Sequence, residues 1–372
     1  MSVKKVGIIG CGKISDIYLN NCANVFNNLQ IVACADLIYE RAKGKTEKYD
    51  IPKACTVEEI LSDPGIDIIL NLTVPSVHAE LCLKALNSGK NVYVEKPLSV
   101  TREDGKKIMG TAREKGLKVG CAPDTFLGAG LQTCRKLIDD GLIGEPIGAT
   151  AFMMGAGPED WHPDPEFFYK PGGGPMFDVG PYYLTALVFL LGPAVRVTGS
   201  ARVSYKQRTI TSQLKYGTKI DVEVPTHIAG VIDFESGPVA SVITSFDVMG
   251  GSMLPRIEIY GSEGTLEVPD PNTFKGPVMF RKKGKKGETE FVEIPLIDGL
   301  TINSRGIGLS DMAYSLDTGA EHRANGELAY HVLDIMHGIH DSSSAGTHHM
   351  LSSRCKKPDL LPPGYPEVKP GV

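Results

Sequence analysis

The chain has 372 residues, of which 42% are hydrophobic and 22% charged, so it holds enough apolar side chains for full cores and is too long for one small module. Its 39 basic and 44 acidic side chains give a net charge of −5, which excludes the overall positive field that nucleic acid or an anionic membrane surface would require of a partner. The longest apolar runs, such as 186–191, are far shorter than the roughly 20 residues that span a bilayer. We therefore expect no nucleic-acid partner and no membrane partner.

The cysteines and the first residues predict the compartment. Eight cysteines are scattered singly with no C-x-x-C pair, which argues against a disulfide framework. The apolar stretch 6–9 is too short for the apolar region of a signal peptide. We expect a protein of the cytoplasm.

In the first third of the chain, short apolar runs alternate with stretches whose apolar residues have helical spacing. The predicted elements are, in order, strand 6–9, helix 14–22, strand 31–35, helix 38–49, strand 66–72, helix 77–86, strand 92–94, helix 101–115 and strand 117–121. Short strands separated by helices are typical of βαβ units in a parallel sheet. The rhythm ends at Pro123, so we place a domain boundary between 1–123 and 124–372.

The second predicted domain shows period-two alternation instead. Alternating runs at 230–234 and 239–246 are separated by a Ser-Gly-Pro turn, and runs at 257–259 and 265–268 by a Gly-rich turn, as in hairpins. We expect an α+β domain on a mainly antiparallel open sheet. A late helix is predicted from a stripe at helical spacing, which consists of Leu328, Val332, Ile335, Met336 and Ile339. The Pro-rich tail from Pro358 is expected to be irregular.

Histidines are crowded near the end of the chain, at His331, His337, His340, His348 and His349. They show no H-E-x-x-H spacing and no accompanying Cys or Asp cluster. We expect them to be surface residues and expect no metal site.

A glycine-rich turn follows the first predicted strand. Gly10, Cys11, Gly12, Lys13, Ile14 and Ser15 form a G-x-G-x-x-G pattern whose third glycine is replaced by serine. Gly10 allows a tight turn, and Gly12 allows backbone N–H groups to approach a pyrophosphate at the N-terminus of the next helix. The turn therefore predicts a dinucleotide site.

Asp36 ends the second predicted strand, 24 positions after Gly12. A carboxylate there accepts hydrogen bonds from the adenosine ribose hydroxyls and repels a 2′-phosphate. NAD is thus favoured over NADP. Arg41, one helical turn further on, is interpreted as a solvated helix residue. The alternatives are that it stacks on adenine or partly offsets this repulsion.

Two further segments, Thr73 to His78 and Glu95-Lys96-Pro97, follow predicted strands. With the Gly10 turn, Asp36, and Gly180 and its neighbours, they make the sequence resemble the Gfo/Idh/MocA family, named for glucose-fructose oxidoreductase, inositol dehydrogenase and a rhizopine-catabolism protein. The match spans about half the chain. It implies an NAD-binding Rossmann domain over 1–123 and a substrate-binding and oligomerisation domain over 124–372.

The resemblance also implies roles for individual residues. Thr73, Pro75 and His78 would line the nicotinamide side of the cofactor, and Glu95 the adjacent ribose. His78, at a helix start, has capping or packing as its alternative role. Lys96 would lie beside the substrate hydroxyl, where an ammonium stabilises a developing alkoxide, and a cis Pro97 would direct Lys96 inward.

On the substrate side, relatives usually carry D-x-G-x-H-x-x-D. Here Asp178 matches the first aspartate, but Tyr182 stands at the histidine position and Thr185 at the second aspartate's. The resemblance implies that Asp178 orients substrate hydroxyls and that Tyr182 exchanges the proton, for which a phenol needs a nearby positive charge such as Lys96. The alternative is that Tyr182 and its neighbour are packing aromatics.

Three more residues are candidates for substrate contact. His162 could supply the missing imidazole, and Trp161, the only tryptophan, could present an apolar face to a sugar ring, with a structural role as the alternative. Asp124 follows the last parallel strand and is either a hydroxyl acceptor or the cap of the helix that runs toward Asp139.

We thus predict an NAD-dependent oxidoreductase that transfers a hydride between nicotinamide and a secondary hydroxyl of a sugar, cyclitol or glycoside. Two alternatives stay open: an enzyme that retains NAD and uses transient oxidation to cleave a glycosidic bond, and a non-catalytic NAD-binding sensor. Relatives are commonly dimers or tetramers, so a homodimer or homotetramer is expected.

Overall fold

A computed structural model describes residues 2–285 and 290–369. The chain forms two compact units, and each is discontinuous in sequence. The first unit comprises 1–129, 298–330 and the residues from Pro358 onward, and the second comprises 130–297 and 331–357. The predicted boundary at 123/124 differs from this division because 298–330 and the tail belong to the first unit.

The first unit contains a six-stranded sheet in the order β3-β2-β1-β4-β5-β6, with every pair parallel. The strands are β1 (Lys4–Ile9), β2 (Leu29–Ala35), β3 (Lys53–Cys55), β4 (Ile68–Asn71), β5 (Asn91–Val94) and β6 (Val119–Cys121). This order is that of the doubly wound Rossmann fold, in which the chain reverses direction along the sheet beside β1. The predicted parallel α/β fold is confirmed.

Five helices connect these strands: α1 (Ser15–Asn24), α2 (Tyr39–Tyr49), α3 (Val57–Ser62), α4 (Pro75–Asn87) and α5 (Arg102–Lys115). Local sequence explains where they begin and end. The Thr101 side chain accepts the Asp104 N–H at 3.1 Å to start α5, and Gly116 ends it in the left-handed conformation. Pro75 stands at the first position of α4, where a backbone N–H would have no partner within the helix, so the N–H that proline lacks is not needed there.

Strand β3 and helix α3 were not predicted. Thr56 and Glu59 form a capping box at the start of α3, in which each side chain bonds the other's backbone N–H. This T-x-x-E pattern was the available signal. The strand itself has only three residues, too few to show a period.

The second unit contains a nine-stranded mixed sheet and a two-stranded sheet. Its strands are β7 (Pro146–Met154), β8 (Ala194–Arg202), β9 (Gln207–Thr209), β10 (Lys219–Asp221), β11 (His227–Phe234), β12 (Val239–Ser245), β13 (Ile257–Gly261), β14 (Gly264–Val268), β15 (Val278–Lys282), β16 (Val292–Ile294) and β17 (His349–Met350). The large sheet has the order β16-β15-β14-β13-β7-β12-β11-β8-β17, and β9 pairs with β10. Both predicted hairpins are present, as β11–β12 and β13–β14, and only β12 with β7 is parallel among these pairs.

The remaining helices are α6 (Ala129–Asp139), α7 (Gly174–Asp178), α8 (Gly180–Leu191), α9 (Ile307–Thr318) and α10 (Gly326–Ala345). Every residue of α8 is buried, and so is the predicted apolar stripe of α10. The tail after Pro358 is irregular, as expected, and Val368 forms a bridge to Phe26 within the first unit. Within the described ranges, no helix combines the length and apolarity needed to cross a membrane.

The expectation of surface histidines is wrong for His331. This side chain is fully buried, accepts the Ala194 N–H on Nε2 at 3.0 Å, and has Nδ1 2.7 Å from Ser353 Oγ. Burial lowers its pKa to about 4, so it is a neutral packing residue. The interior position follows from its place on α10, between buried Leu328 and Val332.

Candidate active site

The carboxyl ends of five parallel strands form one row at one edge of the first sheet. The register pairs Ile9 with Ala35 and with Asn71, then Asn71 with Val94, and Val94 with Cys121. The segments that follow these five ends carry the predicted residues Gly10, Asp36, Thr73, Glu95 and Asp124. This edge is where doubly wound sheets bind their ligands.

The turn after β1 has the open backbone of a phosphate cradle. Gly10 has φ +102°, and a Cβ there would lie 2.7 Å from the Leu72 carbonyl carbon, so only glycine fits. No heavy atom comes within 4 Å of the position of a Cβ on Gly12. Ser15 is fully buried and its Oγ donates to the Gly12 carbonyl at 2.6 Å, which explains how serine replaces the third glycine. Lys13 and Ile14, at the start of α1, are exposed.

Asp36 holds this turn from the neighbouring strand. Its Oδ2 accepts the Cys11 N–H at 2.7 Å and its Oδ1 accepts the Ile38 N–H at 2.9 Å. Each carboxylate oxygen can still accept a further hydrogen bond. The open space at Gly12 and this carboxylate fit a dinucleotide with an unmodified ribose.

The segment after β4 is held by a buried histidine. Asn71 Oδ1 accepts from Thr73 N and Thr73 Oγ1 at 3.2 and 2.7 Å, which fixes the partly exposed Thr73 next to Pro75 at the first turn of α4. His78 is fully buried, with Nδ1 2.7 Å from the Pro97 carbonyl and Nε2 3.0 Å from the Thr73 carbonyl. Burial lowers its pKa. His78 therefore joins two loops, as in its alternative packing role, and its side chain does not line the edge.

Glu95 and Lys96 follow β5. Glu95 is buried, and its two carboxylate oxygens accept the Tyr18 hydroxyl at 2.8 Å and the Lys96 N–H at 2.9 Å. The Lys96–Pro97 bond is cis, as expected, and Lys96 itself is partly exposed. Tyr18 was not predicted, because nothing local marks a contact across 77 residues.

Asp124 does not have either of its predicted roles. It is buried, and its Oδ2 accepts the backbone N–H groups of Gly306 and Gly308 at 2.8 and 3.0 Å, at the N-terminus of α9. Burial raises its pKa to about 6. The carboxyl thus fixes α9 within the first unit instead of capping α6 or facing a substrate.

In the second unit, α7 ends at Asp178 and α8 begins at Gly180, with Val179 in a helical conformation between them. Asp178 and Tyr182 are therefore one helical turn apart. Tyr182 is buried and Asp178 is partly exposed. Tyr183 packs differently: its hydroxyl accepts from Arg256 Nη1 at 3.1 Å, and burial raises its pKa to about 12.

Trp161 and His162 belong to a surface aromatic group on the segment 158–169. Trp161 is 61% exposed. The His162 ring lies edge-on to Phe167 and Phe168, and its Nδ1 accepts the Asp164 N–H at 3.0 Å. His162 is thus a packed ring with one nitrogen already engaged.

Within residues 2–285 and 290–369, no group of three or more His, Cys, Asp or Glu side chains is placed to hold a metal ion.

Comparison with known proteins gives two family models that match this chain. One, described as an oxidoreductase family with an NAD-binding Rossmann fold, matches residues 4–122, and the other, described as a GFO/IDH/MocA C-terminal domain, matches residues 131–267. Together they match well over half of the chain.

Among curated relatives, 1,5-anhydro-D-fructose reductase of Ensifer adhaerens is 28% identical over 293 residues, which are 76% of this chain and 81% of the relative. The NAD(+)-dependent scyllo-inositol 2-dehydrogenase of Bacillus subtilis is 26% identical over 264 residues, 70% of this chain and 72% of the relative. Among solved structures, an NAD-binding oxidoreductase from Klebsiella pneumoniae has a TM-score of 0.81 at 21% identity and covers 95% of this chain and 100% of its own. This last likeness shows the fold.

Proposed function

Because the chain belongs to the Gfo/Idh/MocA family of NAD-binding oxidoreductases, we propose that it transfers a hydride between NAD and a secondary hydroxyl of a sugar, cyclitol or glycoside. The observation that carries this proposal is the row of strand ends, which brings the Gly10 turn, Asp36, Thr73 and Lys96 to one sheet edge. The two curated relatives named above act on an anhydro sugar and on a cyclitol.

The first unit would hold the cofactor. The Gly10–Gly12 turn and the N-terminus of α1 would take the pyrophosphate, flanked by Lys13 and Ile14, and Asp36 would accept the adenosine ribose hydroxyls. Thr73, Pro75 and Glu95 would lie along the other half, with His78 fixing the Thr73 carbonyl. NAD supplies a nicotinamide ring that accepts or returns a hydride.

The chain's own groups would manage the proton and the charge. Oxidation of a carbinol removes a hydride from carbon and a proton from oxygen, so the enzyme must take up the proton and stabilise the developing alkoxide. We assign the proton to the Tyr182 hydroxyl and the alkoxide to the Lys96 ammonium. Asp178, one turn before Tyr182, would accept neighbouring substrate hydroxyls.

Two further parts of the proposal concern the oligomeric state and the cellular compartment. We infer a homodimer or homotetramer, supported by the exposed apolar side chains Val231 and Val239, which lie on one face of the neighbouring strands β11 and β12. All eight cysteines are free thiols, which supports a reducing compartment such as the cytoplasm. Light scattering of the purified protein measures the assembly, and a monomer would refute that part.

The test is a panel of sugars, inositols and glycosides with NAD, followed by NADH absorbance. We expect turnover with at least one member and release of NADH. A burst equal to the enzyme concentration with no NADH released would instead support the NAD-retaining reaction. NAD binding with no absorbance change across the panel would support a sensor and contradict the proposal.

A further inference from the structure

The only tryptophan of the chain, Trp161, lies on the surface of the second unit. Trp161 is 61% exposed. Among the described residues, the rings beside it are those of His162, with centroids 5.4 Å apart and planes at 80°, and Phe168, at 6.2 Å and 64°. Because neither ring is parallel to the indole, the protein does not use it for stacking. An exposed fraction this large is unusual for a tryptophan held only for packing.

The segment before Trp161 is fixed by a buried ion network. The Glu159 carbonyl accepts the N–H groups of Thr211 and Ser212 at 3.0 and 2.8 Å. The Glu159 carboxylate pairs with the buried guanidinium of Arg208, which also bonds Asp247. These contacts fix the backbone at Glu159, two residues before Trp161.

The segment after Trp161 is fixed by a second set of ion pairs. Lys215 Nζ lies 2.8 Å from Asp164 Oδ1 and 2.6 Å from Glu166 Oε1. Lys215 is flanked by Leu214 and Tyr216, which are 82% and 75% exposed. The Lys215 ion pairs therefore join a segment with exposed apolar side chains to the segment of Trp161. A mixture of apolar and charged groups suits a sugar ring, which has an apolar face and a hydroxyl rim.

Packing connects the segment of Trp161 with the segment of the predicted substrate residues in the same unit. Phe168 and Tyr169 pack in one cluster with Val179, the residue between Asp178 and the Tyr182 helix. A reacting carbon requires an environment from which water is excluded, and a residue as exposed as Trp161 does not exclude water. It is suited to a part of the substrate that does not react.

We propose that Trp161 is a subsite for a second sugar ring, so that the preferred substrate is a disaccharide or glycoside whose oxidised ring lies at Asp178 and Tyr182. The inference rests on the proposed function, because it assigns the reacting ring to those residues. Stacking on the indole contributes binding only, so it affects KM for the larger substrate and leaves kcat unchanged.

The first test uses the intrinsic fluorescence of the single tryptophan and does not depend on turnover. Cellobiose, maltose and sucrose are titrated against the NAD-loaded protein, with D-glucose as the comparison and Trp161→Phe as the blank. We expect a saturable change with at least one disaccharide, at a Kd about tenfold below that of glucose. No saturable change with any of the three, or equal affinity for glucose, would overturn the subsite.

The second test is kinetic. Trp161→Ala should raise KM for the preferred disaccharide about tenfold and leave KM for its monosaccharide within twofold. Met253→Ala, which removes another fully exposed apolar side chain of the second unit, should change neither. Turnover that is insensitive to Trp161→Ala would refute the subsite and leave the proposed function standing. Saturable binding without hydride transfer would refute the proposed function alone.

Discussion

Asp36 holds the turn, and the proposed function also assigns it to the adenosine ribose of the cofactor. One carboxylate oxygen accepts the Cys11 N–H and the other the Ile38 N–H, so the charge is fixed at the end of β2, beside the Gly10 turn. A fixed negative charge there repels a 2′-phosphate. The proposed role of Asp36 therefore makes the preference for NAD over NADP depend on charge more than on shape.

Asp36→Asn removes the charge and keeps an oxygen acceptor of the same size. We expect the ratio of Kd for NADP to Kd for NAD to fall at least about tenfold, because the repulsion disappears. Calorimetric titration with each nucleotide measures the ratio. Asp67→Asn, at a carboxylate that accepts the Lys5 N–H elsewhere in the first unit, is the matched control and should leave the ratio unchanged. An unaltered ratio in Asp36→Asn would contradict the assignment.

Asp124 makes the stability of the protein depend on pH. Its pKa is 3.8 in an ordinary environment and about 6 when buried here. A carboxyl whose folded pKa is raised stabilises the fold while protonated, and that contribution is lost as pH rises from about 4 to about 6. At about 1.4 kcal/mol per pKa unit, the full loss is about 3 kcal/mol.

Asp124→Asn should remove this dependence. The parent should lose unfolding free energy relative to the variant as pH rises from about 4 to about 6. At neutral pH the difference between the two should stay constant. Urea unfolding at several pH values measures it. A pH-independent difference would mean that burial does not raise the pKa of this carboxyl.

Local sequence patterns predicted which residues follow the strand ends, but not the distant residues that they contact. The Gly10 turn and Asp36 could be recognised because their spacing follows from one βαβ unit. Asp124 could not be assigned correctly, because its partners Gly306 and Gly308 are more than 180 residues away in sequence. The contact of Tyr18 with Glu95 is hidden for the same reason.

At the scale of elements, the segment 158–169 depends on the buried Arg208. Its guanidinium bonds Glu159, Asp247 and the Phe246 carbonyl. A buried ion network of this kind costs desolvation, but removing one partner leaves other charges buried without compensation. The network therefore fixes the conformation of this segment.

Arg208→Met should lower the unfolding free energy by about 3–5 kcal/mol, because two buried carboxylates lose their counter-ion. Arg196→Met is the matched control, since Arg196 forms a partly exposed pair with Asp233 at 2.9 Å and should cost at most about 1 kcal/mol. Denaturant unfolding of both variants checks this. Equal, small losses would show that the buried network does not stabilise the fold.

Elements with a clear period were predicted with ends close to those observed, and elements without one were missed. Helix α5 was predicted from residue 101 and begins at Arg102, after its Thr101 cap. Strand β3 has three residues and α3 has six, so neither is long enough for a hydrophobic period. Only the capping box at Thr56 marked that region.

At the scale of the whole molecule, the sequence predicted two domain types but not which chain segments form each domain. The segment 298–330 and the tail return to the first unit. They are held there by the bonds of Asp124 to the start of α9 and by the bond of Arg323 Nη2 to the Leu360 carbonyl at 3.0 Å. Local periodicity indicates where one domain type follows another along the chain. It contains no signal that a later segment packs in the first domain.

The proposed function assigns Lys96 and Tyr182 to the same hydride transfer, and a double-mutant cycle on kcat tests that assignment most directly. Lys96→Met and Tyr182→Phe should each lower kcat about 10²–10³-fold with little change in NAD affinity, and Lys84→Met, at an exposed lysine of α4, should have no effect. Because the two groups would serve the same transition state, the double variant should lose hardly more than the more damaging single variant. A loss equal to the product of the two single losses would contradict the account.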